Sequence, residues 1–79
     1  MFYVYILKSQ KDKSYYVGTT EDLNKRIDDH NRGTATYSSS KVPFVLVWSC
    51  NFDDKKKALD FEKYLKSGSG FAFRNKHLI

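Results

Sequence analysis

Glu62 stands where a carboxylate is out of place. Ala58, Glu62 and Leu65 recur at i, i+4 and i+7 with Phe61 beside them, so an acidic side chain falls inside the apolar stripe of a helix. Burying an unpaired carboxylate is strongly unfavourable. Glu62 therefore calls for a cation, a cluster of donors or a water-filled cleft. The plain alternative is an edge position from which it turns outward to Lys66, four residues on. Arg26 and His30 also sit four apart, on an earlier helix, flanking the apolar position Ile27. They can bring a guanidinium and an imidazole to one place, or form an ordinary solvated face in which Asp22 pairs with Arg26. His30 also lies near a helix C-terminus, where its charged form is favoured. Two tyrosine-rich segments near the start supply phenols. Arg32, Lys41, Lys63, Lys66, Arg74 and Lys76 lie in stretches without acidic residues and can grip phosphates, or merely confer solubility.

These groups need elements to hold them. Phe2 to Lys8 is nearly continuously apolar and aromatic and predicts a buried strand. Ser9 to Ser14 is a polar turn, and Tyr15 to Thr19 is the second arm of a hairpin. A turn centred on Gln10 and Lys11 would set Tyr5 against Tyr16 and Val4 against Val17. One face then carries Tyr3, Tyr5, Leu7, Tyr16 and Gly18, rich in phenols, with a glycine where backbone can approach a ligand. The other, Phe2, Val4, Ile6, Tyr15 and Val17, reads as core. Tyrosine also packs well in sheets with no further duty. Thr19 or Thr20 can cap a helix whose first turn holds Glu21 and Asp22, with Leu23 and Ile27 inward and Gly33 at its end. After the Ser/Thr-rich stretch from Thr34 to Lys41, Phe44 to Trp48 predicts a third strand, central by its composition. Asp53 opens a second helix with Ala58, Phe61, Leu65 and Tyr64 inward, and Ser67-Gly68-Ser69-Gly70 breaks it. Phe71 to Ile79 is a short helix or tail. The expected fold is α/β: a small three-stranded antiparallel sheet flanked by helices, in the order β-β-α-β-α-α.

Composition narrows the function. The 79 residues read as one domain, too short for a separate substrate domain; such a chain buries about 60% of its unfolded surface. Hydrophobic residues at 41% and aromatics at 16% argue against disorder, and a mean hydropathy of −0.62 with no long apolar run argues against a membrane partner. The net charge of +5 and pI near 9.4 lean towards a polyanion, most often nucleic acid. Cys50 is the one cysteine, so no internal disulfide forms, and one Cys with two His cannot assemble a zinc site. The start lacks the basic region and cleavage site of a signal peptide, so a cytoplasmic setting is expected. Gly70-Phe71-Ala72-Phe73 partly matches an RNA-recognition strand, but too few residues follow it. Gly68-Ser69-Gly70 lacks the strand and Lys-Ser/Thr ending of a phosphate loop.

Taken together, Tyr3-Val4-Tyr5, then ten residues later Tyr16-Val17-Gly18, then Thr19-Thr20, Leu23, Arg26, His30 and Asn31-Arg32-Gly33, followed by Pro43-Phe44 with Leu46-Val47 and by Glu62 in Phe61-Glu62-Lys63-Tyr64-Leu65-Lys66, resemble the GIY-YIG nuclease superfamily. The likeness is to its small stand-alone members, related to the N-terminal nuclease domain of excinuclease C, and it covers about Tyr3 to Gly68. In this chain Tyr3 replaces the glycine of the first signature and Val17 the isoleucine of the second. The resemblance implies a metal-dependent phosphodiesterase that cuts DNA, in repair or recombination. It implies one Mg²⁺ or Mn²⁺ held by Glu62 and the substrate phosphate. It further implies that Arg26 stabilises phosphoryl charge, that Tyr16 takes the proton of the attacking water with Tyr5 hydrogen-bonded beside it, and that His30 orients or relays. Thr19, and Asn75 as the nearest match to the family's late asparagine, complete the candidate set. Nucleic acid, DNA ahead of RNA, is the expected partner, with a partner protein as a source of targeting. The alternative in another class is a non-catalytic nucleic-acid-binding or docking module on the same fold.

Overall fold

The computed structural model describes residues 1–32 and 41–79. Two strands, β1 (Phe2–Ser9) and β2 (Tyr15–Thr20), precede helix α1 (Leu23–Asn31). Strand β3 (Phe44–Phe52) and helices α2 (Lys55–Lys66) and α3 (Gly68–His77) follow. The sheet is antiparallel in the order β2-β1-β3, so the expected architecture forms. β1 is covered on both sides, which is why its sequence reads as an unbroken apolar run: Val4, Tyr5, Ile6 and Leu7 are all buried.

The hairpin register differs from the expected one by two residues. Tyr5 faces Gly18, Leu7 faces Tyr16 and Ile6 faces Val17. The cause lies in the turn. Buried Ser9 takes the backbone N–H groups of Lys11 and Asp12 on its hydroxyl, and its own N–H bonds the Ser14 carbonyl at 2.8 Å, so the turn centres on Lys11 and Asp12. Lys13, at φ 65°, completes the turn in the left-handed region. Side-chain parity survives an even shift, so the two faces keep the predicted memberships. The phenol-bearing face is not open, however. Tyr5, Leu7 and Phe44 form a core there, packed by Tyr16 and by Leu23 and Ile27 of α1. On the other face Val4, Ile6, Val17, Ala58 and Leu65 form a second core, packed by Trp48, Phe52 and Phe61.

β3 is an edge strand rather than a central one. Its Val45, Leu46 and Val47 are 37–44% exposed, and a register shift opposite Ile6 and Leu7 interrupts its pairing. α1 begins later than expected: Thr19 and Thr20 stay in β2, and the Asp22 carboxylate caps the helix by accepting from Lys25 N at 3.1 Å. Asp54, not Asp53, caps α2, where Ala58 and Leu65 are fully buried and Tyr64 is exposed. The Ser-Gly-Ser-Gly stretch breaks α2 as expected, at Ser67, but helix resumes from Gly68. Ser67 caps α3, which runs directly from Gly68; a Cβ at Gly70 would overlap the Tyr64 carbonyl, so glycine lets α3 fold back onto α2. Gly70 to Phe73 are helical, which disposes of the RNA-recognition strand. The expected helix end at Gly33 and the stretch from Thr34 to Ser40 lie outside the described residues.

One side chain joins the two halves on the α1 face. The Asn31 amide donates to the Phe44 carbonyl at 3.1 Å and accepts the Phe44 N–H at 2.6 Å, mimicking a strand partner at the start of β3. Asn31→Ala leaves both backbone groups unsatisfied, and urea unfolding is expected to show a loss of about 2 kcal/mol. A loss of no more than a few tenths would mean that the clamp carries no weight.

Candidate active site

Strand β1 carries Tyr5 to the centre of the α1 face, and the alternation of β2 brings Tyr16 and Gly18 to the same face. Gly18 makes room: a Cβ there would lie 2.5 Å from Tyr5 Oη and 3.0 Å from Tyr16 Cε1. The glycine therefore admits a phenol rather than a ligand. One turn apart on α1, Arg26 and His30 reach the same spot. Tyr5 Oη is 3.2 Å from His30 Nε2. The imidazole packs edge-on against Tyr16 at 4.6 Å, Phe44 at 5.7 Å and Tyr5 at 6.1 Å between ring centroids. The Arg26 guanidinium lies within electrostatic reach of the hydroxyls of Tyr5 and Tyr16, whose oxygens favour its charged form.

Proton positions follow from this arrangement. Burial is the main influence on Tyr5, followed by its hydrogen bond from Arg26, which opposes it; Tyr16 and Glu62 add negative potential. The net effect raises its pKa to about 12. Tyr5 is thus a neutral phenol at any physiological pH. Burial, reinforced by the Arg26 charge, pushes the His30 pKa down, so its ring is neutral as well. Arg26 has only donors. Tyr5 and His30 are thus two neutral groups sharing one hydrogen bond, with the Arg26 charge beside them.

Glu62 lies on the other face of the sheet, where Thr19 of β2 also points. Thr19 Oγ1 donates to Glu62 Oε1 at 2.5 Å, and Lys66 Nζ pairs with Oε2 at 2.8 Å. The carboxylate is thus satisfied by donors and by the outward pairing with Lys66, yet its side chain keeps 21% of its exposure and its charge is felt at Tyr5. A cavity of about 200 Å³ opens beside it, lined by Phe2, Thr19, Thr20, Glu21, Lys55 and Leu59. Its oxygen donors fit a hard cation that takes one or two carboxylates and keeps its waters. Among the described residues no three His, Cys, Asp or Glu group into a closed metal cage.

The remaining candidates divide. Lys66 and Arg74 line a second cavity, of about 360 Å³, together with Tyr15, Tyr16 and Val17. Lys41 sits at the hairpin turn, 3.5 Å from Asp12. Arg32 caps the C-terminus of α1 and is exposed, as are Lys63 and Asn75 on α2 and α3. Three features escape sequence reasoning: the clamp made by Asn31, the use of Thr19 to hold Glu62, and the burial of Arg74. Only the second had a signal, a hydroxyl directly after Tyr16-Val17-Gly18.

The arrangement and the sequence agree with a known domain class. The chain belongs to the GIY-YIG catalytic-domain family, whose model matches residues 1–76. It is similar to UPF0213 protein CPE1444 of Clostridium perfringens, 46% identical over 67 residues that make up 84% of this chain and 71% of that protein. It is also similar to UPF0213 protein YazA of Bacillus subtilis, 38% identical, with 81% of this chain matched to 65% of that protein's length. Among solved structures, the solution NMR structure of UPF0213 protein BH0048 from Bacillus halodurans superposes with a TM-score of 0.58 at 35% identity, covering 96% of this chain and 84% of that one. Among the described residues no helix is long and apolar enough to cross a membrane.

Two outcomes test the buried phenol. Because its folded pKa is raised above the ordinary value near 10, Tyr5 favours the folded state below pH 10 and loses that contribution as pH rises towards 12. Alkaline unfolding followed by circular dichroism should therefore be steeper in the parent than in Tyr5→Phe; identical slopes would contradict the assignment. Gly18→Ala should displace the Tyr5 ring and lower stability by about 1–3 kcal/mol. It should also move the His30 NMR titration midpoint back up towards 6.5 as water reaches the ring.

Proposed function

We propose that this domain is a divalent-metal-dependent endonuclease that hydrolyses phosphodiester bonds in DNA, working as a single domain in a reducing, cytoplasmic compartment with a partner protein supplying targeting. The observation that carries the reading is the convergence of Tyr5, Tyr16, Arg26 and His30, with the charge of Glu62 within electrostatic reach of Tyr5. Packing alone gives no reason to gather a guanidinium, two phenols and an imidazole in one place.

The site separates the roles of the two phenols. Tyr5 is buried and held neutral, so it positions: it fixes Arg26 on one side and His30 on the other. Tyr16 is only half buried and also lies near Arg26, so as a phenolate favoured by that guanidinium it can take the proton of an attacking water and become the neutral phenol. The remaining donors of Arg26 serve the phosphoryl oxygens as charge builds on them. Glu62, oriented by Thr19, is the proposed ligand for Mg²⁺ or Mn²⁺, which supplies positive charge against the phosphate when bound. Lys66 must yield Oε2 if both carboxylate oxygens are to serve the ion. That ion pair is also the one observation favouring a non-catalytic nucleic-acid-binding module, in which it is simply permanent.

Nicking of supercoiled, branched and linear DNA distinguishes the two. The parent should cut with Mg²⁺ or Mn²⁺ and stop with EDTA. Tyr16→Phe and Glu62→Gln should each lose at least about 100-fold in rate with unchanged circular dichroism. A folded parent that binds these DNAs in a salt-sensitive way but cuts none of them with either ion establishes the binding module instead.

A further inference from the structure

The cavity on the outer side of β2 has a chemistry that the proposed reaction does not use. Arg74 forms part of its wall and is 8% exposed. The guanidinium carbon lies 4.6 Å from the Phe71 ring centroid and 5.4 Å from that of Tyr15, so two aromatic rings hold the group in place. Its Nε–H is buried and has no hydrogen-bond partner among the described residues. No carboxylate among them forms an ion pair with it. Burying a guanidinium without a counter-charge is costly. Nearby charges add to the cost, because Lys66 lines the same cavity and Lys8 Nζ lies 5.7 Å from the Tyr15 ring. Of the two cations that line the cavity, Lys66 is committed to Glu62 on its flank, and Arg74 keeps an unused donor.

We propose that this cavity is a phosphate-binding pocket. Arg74 takes the oxyanion side-on through Nε–H and one Nη–H, and Lys66 and Lys8 provide the surrounding positive potential. The pairing supplies both things the buried side chain lacks, an acceptor for its orphan donor and an opposite charge. Because Tyr16 lines the same cavity, a backbone phosphate seated there would bring its strand past the hydroxyl proposed to act as base. This placement rests on the endonuclease reading; the pocket itself does not.

The test uses the intact chain. Inorganic phosphate is titrated into the ¹⁵N-labelled parent while the Arg74 Nε–H resonance is followed, with sulfate and chloride as controls for anion strength. Binding of a short single-stranded and a duplex DNA is then compared between the parent, Arg74→Gln and Arg74→Lys over a series of salt concentrations. A saturable shift of the Arg74 resonance with phosphate is expected, as is roughly tenfold weaker DNA binding in Arg74→Gln, with a salt slope smaller by about one. Arg74→Lys should recover part of the affinity. A phosphate shift with unchanged DNA affinity supports the pocket and identifies a small phosphate compound as its occupant. An Arg74 resonance indifferent to phosphate, together with parent-like DNA affinity in Arg74→Gln, overturns the proposal. The parent titration decides the matter even if both variants fail to fold. Loss of affinity in Arg74→Gln without any nicking by the parent would retain the pocket and remove the endonuclease.

Discussion

The site depends on how a phenol is buried in a sheet. The Tyr5 side chain is 1% exposed, so its hydroxyl must find an acceptor for its proton and can take donors on its oxygen without help from water. One helix supplies its surroundings, with His30 as hydrogen-bond partner and the Arg26 charge one turn away. Each partner is then constrained in return. His30 is neutral because it is buried beside a guanidinium, and the Arg26 charge is favoured by the two phenol oxygens near it. Gly18 lets this happen by giving Tyr5 the volume a Cβ would fill. Phenol, imidazole, guanidinium and glycine therefore form one unit, and a change in any of them is felt by the rest.

The same physics explains why the site belongs on an edge strand. Successive residues of β2 point to opposite faces, so Tyr16 and Gly18 go towards α1 while Tyr15, Val17 and Thr19 go towards α2 and α3. In a central strand, the sheet would separate these sets. Among the described residues β2 has a strand neighbour on one side only, and its free margin lets groups from both faces meet the same solvent. Thr19 can thus orient Glu62 on one face while the charge of that carboxylate still reaches Tyr5 on the other. The usual management of edge strands is to cover or charge them; here the basic side chains Lys66 and Arg74 line a cavity beside β2.

Much of this is readable from residue types alone, for identifiable reasons. Element types and order follow from apolar periodicity, and face assignment survives a misplaced turn because the error is an even number of residues. Glu62 is conspicuous because a carboxylate in an apolar stripe violates burial rules. The edge position of β3 is not readable: Phe44 to Trp48 has the composition of an interior strand, and it is its place at the end of the order β2-β1-β3 that exposes Val45 and Leu46. The start of α1 is obscured because Thr20, Glu21 and Asp22 all suit a helix N-terminus. The fate of Arg74 is hidden by Ser67 to Gly70, whose residue types signal a break. Serine capping and the missing Cβ of Gly70 instead turn the chain straight into α3, which delivers Arg74 to Tyr15.

The choice of what to bury shows which demand shaped the core. Tyr5, Ile6, Leu7, Leu65, His30, Val4 and Ser9 are the largest side chains almost completely shielded from water, and three of these seven carry polar atoms. A domain this small has little hydrophobic surplus. Leu or Phe at these positions would avoid the hydrogen bonds that buried polar groups require. Ser9 has a structural account, since its hydroxyl organises the hairpin turn and donates to the Lys41 carbonyl at 2.6 Å. Tyr5 and His30 differ in kind, because the bond between them joins two side chains that both lie beside the Arg26 charge. A buried polar pair set against a guanidinium contributes more to the surroundings of that guanidinium than to closing the fold. The stability forgone in the core thus points to the chemistry around Arg26.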